Sequence, residues 1–368
     1  MVLNRNSRTL QFEHVESRVC PAVLVNVASN GDLAVSGDTA GAVVITALDS
    51  DSYQVTENAA VIATVNGVSR GIRVDLGVTS DIVTIDLAGQ TVNGDVRVNL
   101  GSGDNTFTLA DGTVRGHLFI NGGIGIDTLT VESNVSVRKN TQIDLGGGNN
   151  VAIISGSHAG QVTLQTGAGI DNVTFDANAS VGKHAKINLG GGDNSFTTGG
   201  DFARHLFYDG ADGNDTVTIL AQALVARQAK INLGSGANTF TLEGRINQDL
   251  MLTSGSGVDT INVLSNARIM RDAKLKLGDG DNIVTFAGDV KRSLQIQVGA
   301  GIDTVDLAAS ARIARDANVD LGGGNDAFVF AGRVTRNLNL NGGVGTDTLT
   351  DAGGTAKQLR LTSVEVTV

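Results

Sequence analysis

Apolar and polar residues alternate along most of this chain in short bursts, and a glycine-rich turn interrupts them about every 22 residues. Thr216 to Ile219 and Thr239 to Leu242 show the pattern, with every second side chain aliphatic or aromatic. A period of two places alternate side chains on opposite faces of a strand, whereas no stretch sustains the i, i+3, i+4, i+7 spacing of an amphipathic helix. Each turn is a variant of G-x-G-x-[DN]. Its last residue gives a row of anchors: Asp81, Asn105, Asp127, Asn150, Asp171, Asn194, Asp215, Asn238, Asp259, Asn282, Asp303, Asp326 and Asp347. From Asn150 onward the anchor spacings alternate between 21 and 23, so the repeating unit is a 44-residue pair of coils.

Other positions keep register with the anchor. Two and four residues after it stand pairs such as Phe107 and Leu109, Val217 and Ile219, and Phe328 and Phe330. Seven and five residues before it stand Ile187 and Leu189, Ile231 and Leu233, and Leu275 and Leu277, and a third apolar site, as at Ile246, Ile269 and Ile313, lies between. Each coil therefore supplies two clear strands and one short one, which predicts an all-β chain forming a single parallel β-helix, a solenoid of about 22-residue coils. Stacked at about 4.8 Å, the twelve intervals between anchors span roughly 58 Å. The pattern predicts regular coils over 76–350, irregular first coils over 26–75, an N-terminal extension or cap over 1–25 and a C-terminal capping strand over 351–368.

Composition agrees with such a rod. There are 49 Gly and one Pro among 368 residues. Glycine supplies the positive φ of sharp corners, and proline would remove ladder hydrogen bonds. The formal charge of −11 disfavours a nucleic-acid partner. The lone Cys20 excludes an intramolecular disulfide and a Cys-rich zinc site. No run reaches the length of a membrane span, so a soluble chain is expected.

Stacking turns each coil position into a row. Eleven residues before the anchor come Lys139, Lys183, Arg204, Arg227, Arg271, Arg292, Arg315 and Arg336, and the next position holds His117, His184 and His205 with Asn, Gln and Asp elsewhere. This basic row is either a solvated corner balanced by its neighbours or a binding stripe, centred on Arg204, Arg227, Arg271, Arg292, Arg315 and Arg336, for an anionic polysaccharide. Thr-x-Thr rows such as Thr216 and Thr218 resemble the ice-binding face of some antifreeze proteins, although Val151, Ile153, Ile283, Ala327 and Val329 interrupt them. Thr is equally an ordinary strand-surface residue. Parallel β-helices include polysaccharide lyases and hydrolases, but the coils here are uniformly short and carry no clustered catalytic constellation. A non-enzymatic chain is expected.

Gly122 to Thr130 and Gly342 to Thr350 resemble the RTX nonapeptide G-G-x-G-x-D-x-φ-x, and the resemblance implies Ca²⁺ at the corner. RTX proteins carry that motif in tandem, whereas here one copy occurs per 21 to 24 residues and five anchors are Asn. Two carboxylates 4.8 Å apart repel by about 3.5 kcal/mol at an effective dielectric of 20. An Asp/Asn ladder bonding the turn backbone thus relieves the row without a metal. If calcium binds, the candidates are Asp127, Asp259, Asp279, Asp281, Asp303, Asp326 and Asp347, the last three anchors being consecutive carboxylates.

Near the N-terminus Arg8, Leu10, Phe12, Glu13, Glu16 and Arg18 resemble a motif on many exported or surface proteins of planctomycete bacteria. That resemblance implies a secreted or cell-surface bacterial protein. The overall expectation is a structural or adhesive β-helix, with polysaccharide or further copies of itself, joined head to tail, as partners.

Overall fold

The computed structural model describes residues 23–38 and 41–367 of the chain. The Arg8 to Arg18 motif and Cys20 lie outside the described residues. Strands stack in three columns, parallel and in register from coil to coil. The column after the anchor runs through segments such as Thr216–Ile219 and Thr239–Leu242, with Val217 opposite Phe240 and Ile219 opposite Leu242. A two-residue strand such as Leu224–Val225 or Arg245–Ile246 forms the second column. The third runs through Ala229–Asn232 and Leu250–Thr253. No described residue is helical, and the expected parallel β-helix is what the chain forms.

Inward side chains from the three columns fill one continuous interior. In the coil of Asp215, Val217, Ile219, Val225, Ala229, Ile231 and Leu233 are all fully buried. Phe175, Phe196 and Phe202 interlock across neighbouring coils, with ring centroids 6.0 and 5.8 Å apart. His158 is the polar exception in the short-strand column, stacked between Val137 and Val181. Its Nδ1 lies 2.8 Å from Thr141 Oγ1 and its Nε2 lies 3.1 Å from the Ser155 carbonyl. Those partners suit the neutral ring, with Nε2–H donating to the carbonyl. Burial pushes the pKa of His158 down to about 4.

The first coils are built differently. Ala42–Ala47, Tyr53–Glu57 and Ala60–Val65 form an antiparallel meander, and Val23–Val27 pairs antiparallel with Leu33–Gly37. A tight turn explains part of this: Asn58 and Ala59 both have positive φ, at 48° and 64°, as a two-residue hairpin connection requires. Leu33–Gly37 and Ala42–Ala47 then pair parallel with Ile72–Leu76 and Ile82–Asp86. Antiparallel strands thereby cover the outer edge of the first coil in both sheets, an edge that would otherwise be open to pairing. At the other end Thr355–Thr362 continues the long column parallel to Arg333–Asn341, and Val366–Thr367 pairs with Thr348–Asp351.

Candidate functional site

The anchors meet in one buried row. From Asp81 to Asp347 every anchor is at most 1% exposed, and each backbone N–H donates to the side-chain Oδ1 of the anchor in the next coil. Asp171 N to Asn194 Oδ1 is 3.0 Å, Asn194 N to Asp215 Oδ1 is 2.8 Å and Asp215 N to Asn238 Oδ1 is 2.9 Å. The row ends where Asp347 N donates to Glu365 Oε2 at 2.8 Å. A corner cannot continue the strand ladder, so its amide would be left buried and unpaired. The side chain of the next coil supplies the acceptor.

Two kinds of coil alternate because Asn and Asp differ in what the second side-chain atom can do. Asn194 Nδ2 donates to the carbonyls of Gly192, at 2.9 Å, and Gly190, at 3.3 Å. Asn150, Asn238 and Asn282 repeat this arrangement. A carboxylate cannot donate to those carbonyls, and Oδ2 of Asp127 and Asp215 points the other way. It lies where a β-carbon at the fifth residue upstream would stand, 2.2 Å from that position at Gly122 and 1.9 Å at Gly210. Asn coils place Leu100, Leu145, Leu189, Leu233 and Leu277 at that position, while the Asp coils from Asp127 to Asp303 place Gly122, Thr166, Gly210, Ser254 or Val298 there and Asp347 has Gly342; the first coil, Asp81, keeps Leu76. From Asp127 to Asp303 the 44-residue period thus has a steric counterpart five residues upstream of the anchor.

The Asp coils leave a cost behind. Oδ2 of Asp127, Asp303, Asp326 and Asp347 is buried without a hydrogen-bond partner, while the hydroxyls of Thr166, Tyr208 and Ser254 stand beside the carboxylates of Asp171, Asp215 and Asp259. Burial raises the pKa of Asp215 and Asp303 to about 6, and it raises those of Asp127, Asp171, Asp259 and Asp326. Asp326 is the misfit, since it occupies an Asn position of the alternation between Asp303 and Asp347 and retains the upstream Leu321 of an Asn coil. Asp326→Asn restores a donor toward the Gly322 and Gly324 carbonyls and is expected to stabilise the protein by about 1–2 kcal/mol near neutral pH. The folded-state pKa of Asp326 is raised, so its carboxyl favours the folded state below the ordinary carboxylate range and loses that contribution as pH rises. The gain from Asn should therefore shrink on acidification, and His158, common to both proteins, cancels in the comparison. Thermal midpoints of both proteins against pH check this. A calcium-binding corner predicts the opposite sign, with Ca²⁺ raising the midpoint of the parent protein and Asp326→Asn abolishing that rise.

The other candidate acids lie on the solvent side of the corner. Asp279 Oδ1 accepts from Ala300 N at 2.9 Å and Asp281 Oδ1 from Ile302 N at 2.7 Å. Asp281 belongs to an outer ladder that runs opposite to the buried one, in which Asp104, Asn149 and Asn325 take the same role. Calcium asks for six to eight converging oxygens. Here one oxygen of each anchor accepts a backbone N–H, and in Asn coils an amide nitrogen faces the glycine carbonyls. Among the described residues no three Asp, Glu, His or Cys side chains converge closely enough to hold one ion. This donor set fits hydrogen bonding better than it fits calcium.

The basic row forms an exposed corner, but its members are not equivalent. Arg271 lies 3.6 Å from Asp249 and Arg292 lies 3.3 Å from Asp272, and Asp249, Asp272 and Asp316 also accept backbone amides of the next coil. Among the described residues Arg204, Arg227, Arg315 and Arg336 have no carboxylate within 4.0 Å. Sequence reasoning missed Glu365 as the end of the ladder and the alternation five residues upstream of the anchors. It also missed the grouping of His184, His205 and Phe207, whose rings lie 5.1 to 6.0 Å apart. The upstream alternation was available as a signal: Leu recurs at every Asn coil. The Thr rows stack in register, with Thr128 and Thr130 meeting Val151 and Ile153.

By its architecture the chain is a parallel β-solenoid. Comparison with known proteins finds no matching family model, no matching curated protein and no matching solved structure.

Proposed function

We propose that the protein is a non-enzymatic solenoid that serves as a structural and adhesive element outside the cell, its corners closed by hydrogen bonds in place of calcium. The observation that carries this reading is the uninterrupted ladder from Asp81 to Glu365, which satisfies the corner amides of successive coils from within the chain. A narrow dry core gives a rod little stability per coil, so stiffness depends on every interface between neighbours. Closing each corner by hydrogen bonds from within the chain, with no ion to lose, suits a chain that must hold its shape in a medium of changing composition. The N-terminal resemblance to exported planctomycete proteins supports the location.

Labelling intact cells with an antibody against the coils tests this reading. Staining without permeabilisation is expected. Staining seen only after permeabilisation overturns an external role.

A further inference from the structure

The long-strand face carries a cationic and aromatic cluster at one level of the rod. Lys186, Phe207 and Lys230 occupy the same outward position in three successive coils, so the two lysines flank the ring at a separation of about 9.6 Å. His184 and His205 stack at 5.1 Å with an interplanar angle of 17°, and His205 stacks in turn on Phe207 at 5.6 Å. Lys183, Arg204 and Arg227 border the histidines along the corner. Among the described residues none of these five cations has a carboxylate within 4.0 Å.

A shallow depression of about 810 Å³ lies over the cluster, lined by Gln165, Lys186, Asn188, Phe207, Lys230 and Asn232. Its one carboxylate, Asp209, accepts from Asn232 Nδ2 at 2.8 Å. Phe207 is one of two Phe side chains among the described residues that are not buried in the core. The other, Phe119, is covered by the Arg97 guanidinium, 4.0 Å from its centroid. Phe207 instead presents its ring to the depression.

We propose that this depression binds an acidic polysaccharide whose charge recurs on every second sugar, lying along the solenoid axis. The assignment rests on the adhesive reading above and names what is adhered to. A pyranose unit is about as long as one coil is thick, so one sugar would lie over Phe207 with its apolar C–H face on the ring. The charged sugars on either side would meet Lys186 and Lys230. The amides of Gln165, Asn188 and Asn232 supply donors and acceptors for hydroxyl groups. Arg204, Arg227 and Lys183 extend the favourable field along the corner. A denser polyanion such as a nucleic acid would run on into the acidic remainder of the surface.

The histidine pair adds a pH dependence. Burial holds both imidazoles below the ordinary histidine value; His205, Arg204, Lys186 and Arg227 lower His184 further, and Arg227 and Arg204 lower His205. The acids on adjoining strands are Asp209 and the exposed Asp201. A bound anion reverses that balance, so binding and protonation reinforce each other.

The test uses the full chain on immobilised unsulfated chondroitin and hyaluronate, with neutral dextran and a single-stranded oligonucleotide as comparisons. Retention on both acidic glycans is expected, tighter at about pH 5.5 than at about pH 7.5. Phe207→Ala and the double variant Lys186→Gln/Lys230→Gln should each weaken binding by about tenfold or more. Arg315→Gln/Arg336→Gln, on the corner row of Arg204 and Arg227 but distant along the rod, should bind as the parent does. Circular dichroism and thermal midpoints confirm that each variant is folded. Binding unchanged by both cluster variants, or retention on the oligonucleotide alone, overturns the assignment. Cell-surface labelling reads the adhesive role separately, so the failure of one is distinguishable from the failure of the other.

Discussion

Gly213→Ala is expected to destabilise the solenoid by at least about 3 kcal/mol, combining strain at a forbidden φ with a clash that the backbone cannot relieve. Gly213 has φ +134°, and a β-carbon there would stand 2.1 Å from the Gly192 carbonyl oxygen and 2.5 Å from its carbon. The same approach recurs up the corner: the equivalent positions at Gly236 and Gly257 each meet a carbonyl oxygen 2.1 Å away. Because each offending atom is main chain of the preceding coil, relief would require the two coils to separate, and a solenoid couples each coil to its neighbours. Gly89→Ala provides the control, since Gly89 also has a positive φ, +76°, but nothing lies within 4 Å of the added carbon. Its cost should be about 1 kcal/mol, the conformational part alone. Chemical denaturation of the two variants decides the matter. Equal losses would show that close stacking of the corner is not what requires glycine.

Asn194→Asp is the second large effect, about 3–5 kcal/mol near neutral pH. The substitution is nearly isosteric and keeps the Oδ1 that accepts Asp171 N at 3.0 Å. It removes the donor to the Gly190 and Gly192 carbonyls and places a third carboxylate between Asp171 and Asp215. Protonation of the new carboxyl would restore a donor, so part of the loss should be recovered near pH 5 relative to pH 7, within the window set by the neighbouring Asp215 at about 6. Thermal melts at the two pH values read both parts. A variant as stable as the parent at neutral pH would mean that the alternation of Asn and Asp carries no energetic weight.

Asp326→Asn and Asn194→Asp form a matched pair, because they move the same position of the coil in opposite directions. One repairs a carboxylate standing where the alternation calls for an amide. The other creates that fault.

Much of the architecture was legible in the residues. The pairing of Val217 with Phe240 and of Ile231 with Leu252 follows from counting from the anchors, since a period of two leaves one choice of inward face. Residues 26–75 were less legible. Their alternation is that of strands, but alternation does not distinguish a parallel coil from an antiparallel hairpin, and the turn at Asn58 and Ala59 sends the chain back on itself. The corner was legible as an Asp/Asn ladder but not in its direction. Side chains of Asp215 and Asn238 reach toward the preceding coil, while Asp104 and Asp281 on the outer row reach toward the following one. Adjacent residues in one turn point to opposite sides, and which neighbour each meets depends on how the coils stack.

The sequence by itself determined the class of fold, the anchor register and the composition of the core, because these follow from local periodicity and from glycine at the corners. Only the tertiary structure decided where the second oxygen of each Asp goes, that Glu365 ends the ladder, and that Phe207 faces solvent between Lys186 and Lys230. The last two join residues 18 to 23 positions apart in neighbouring coils. Their partners come into existence when the coils are stacked.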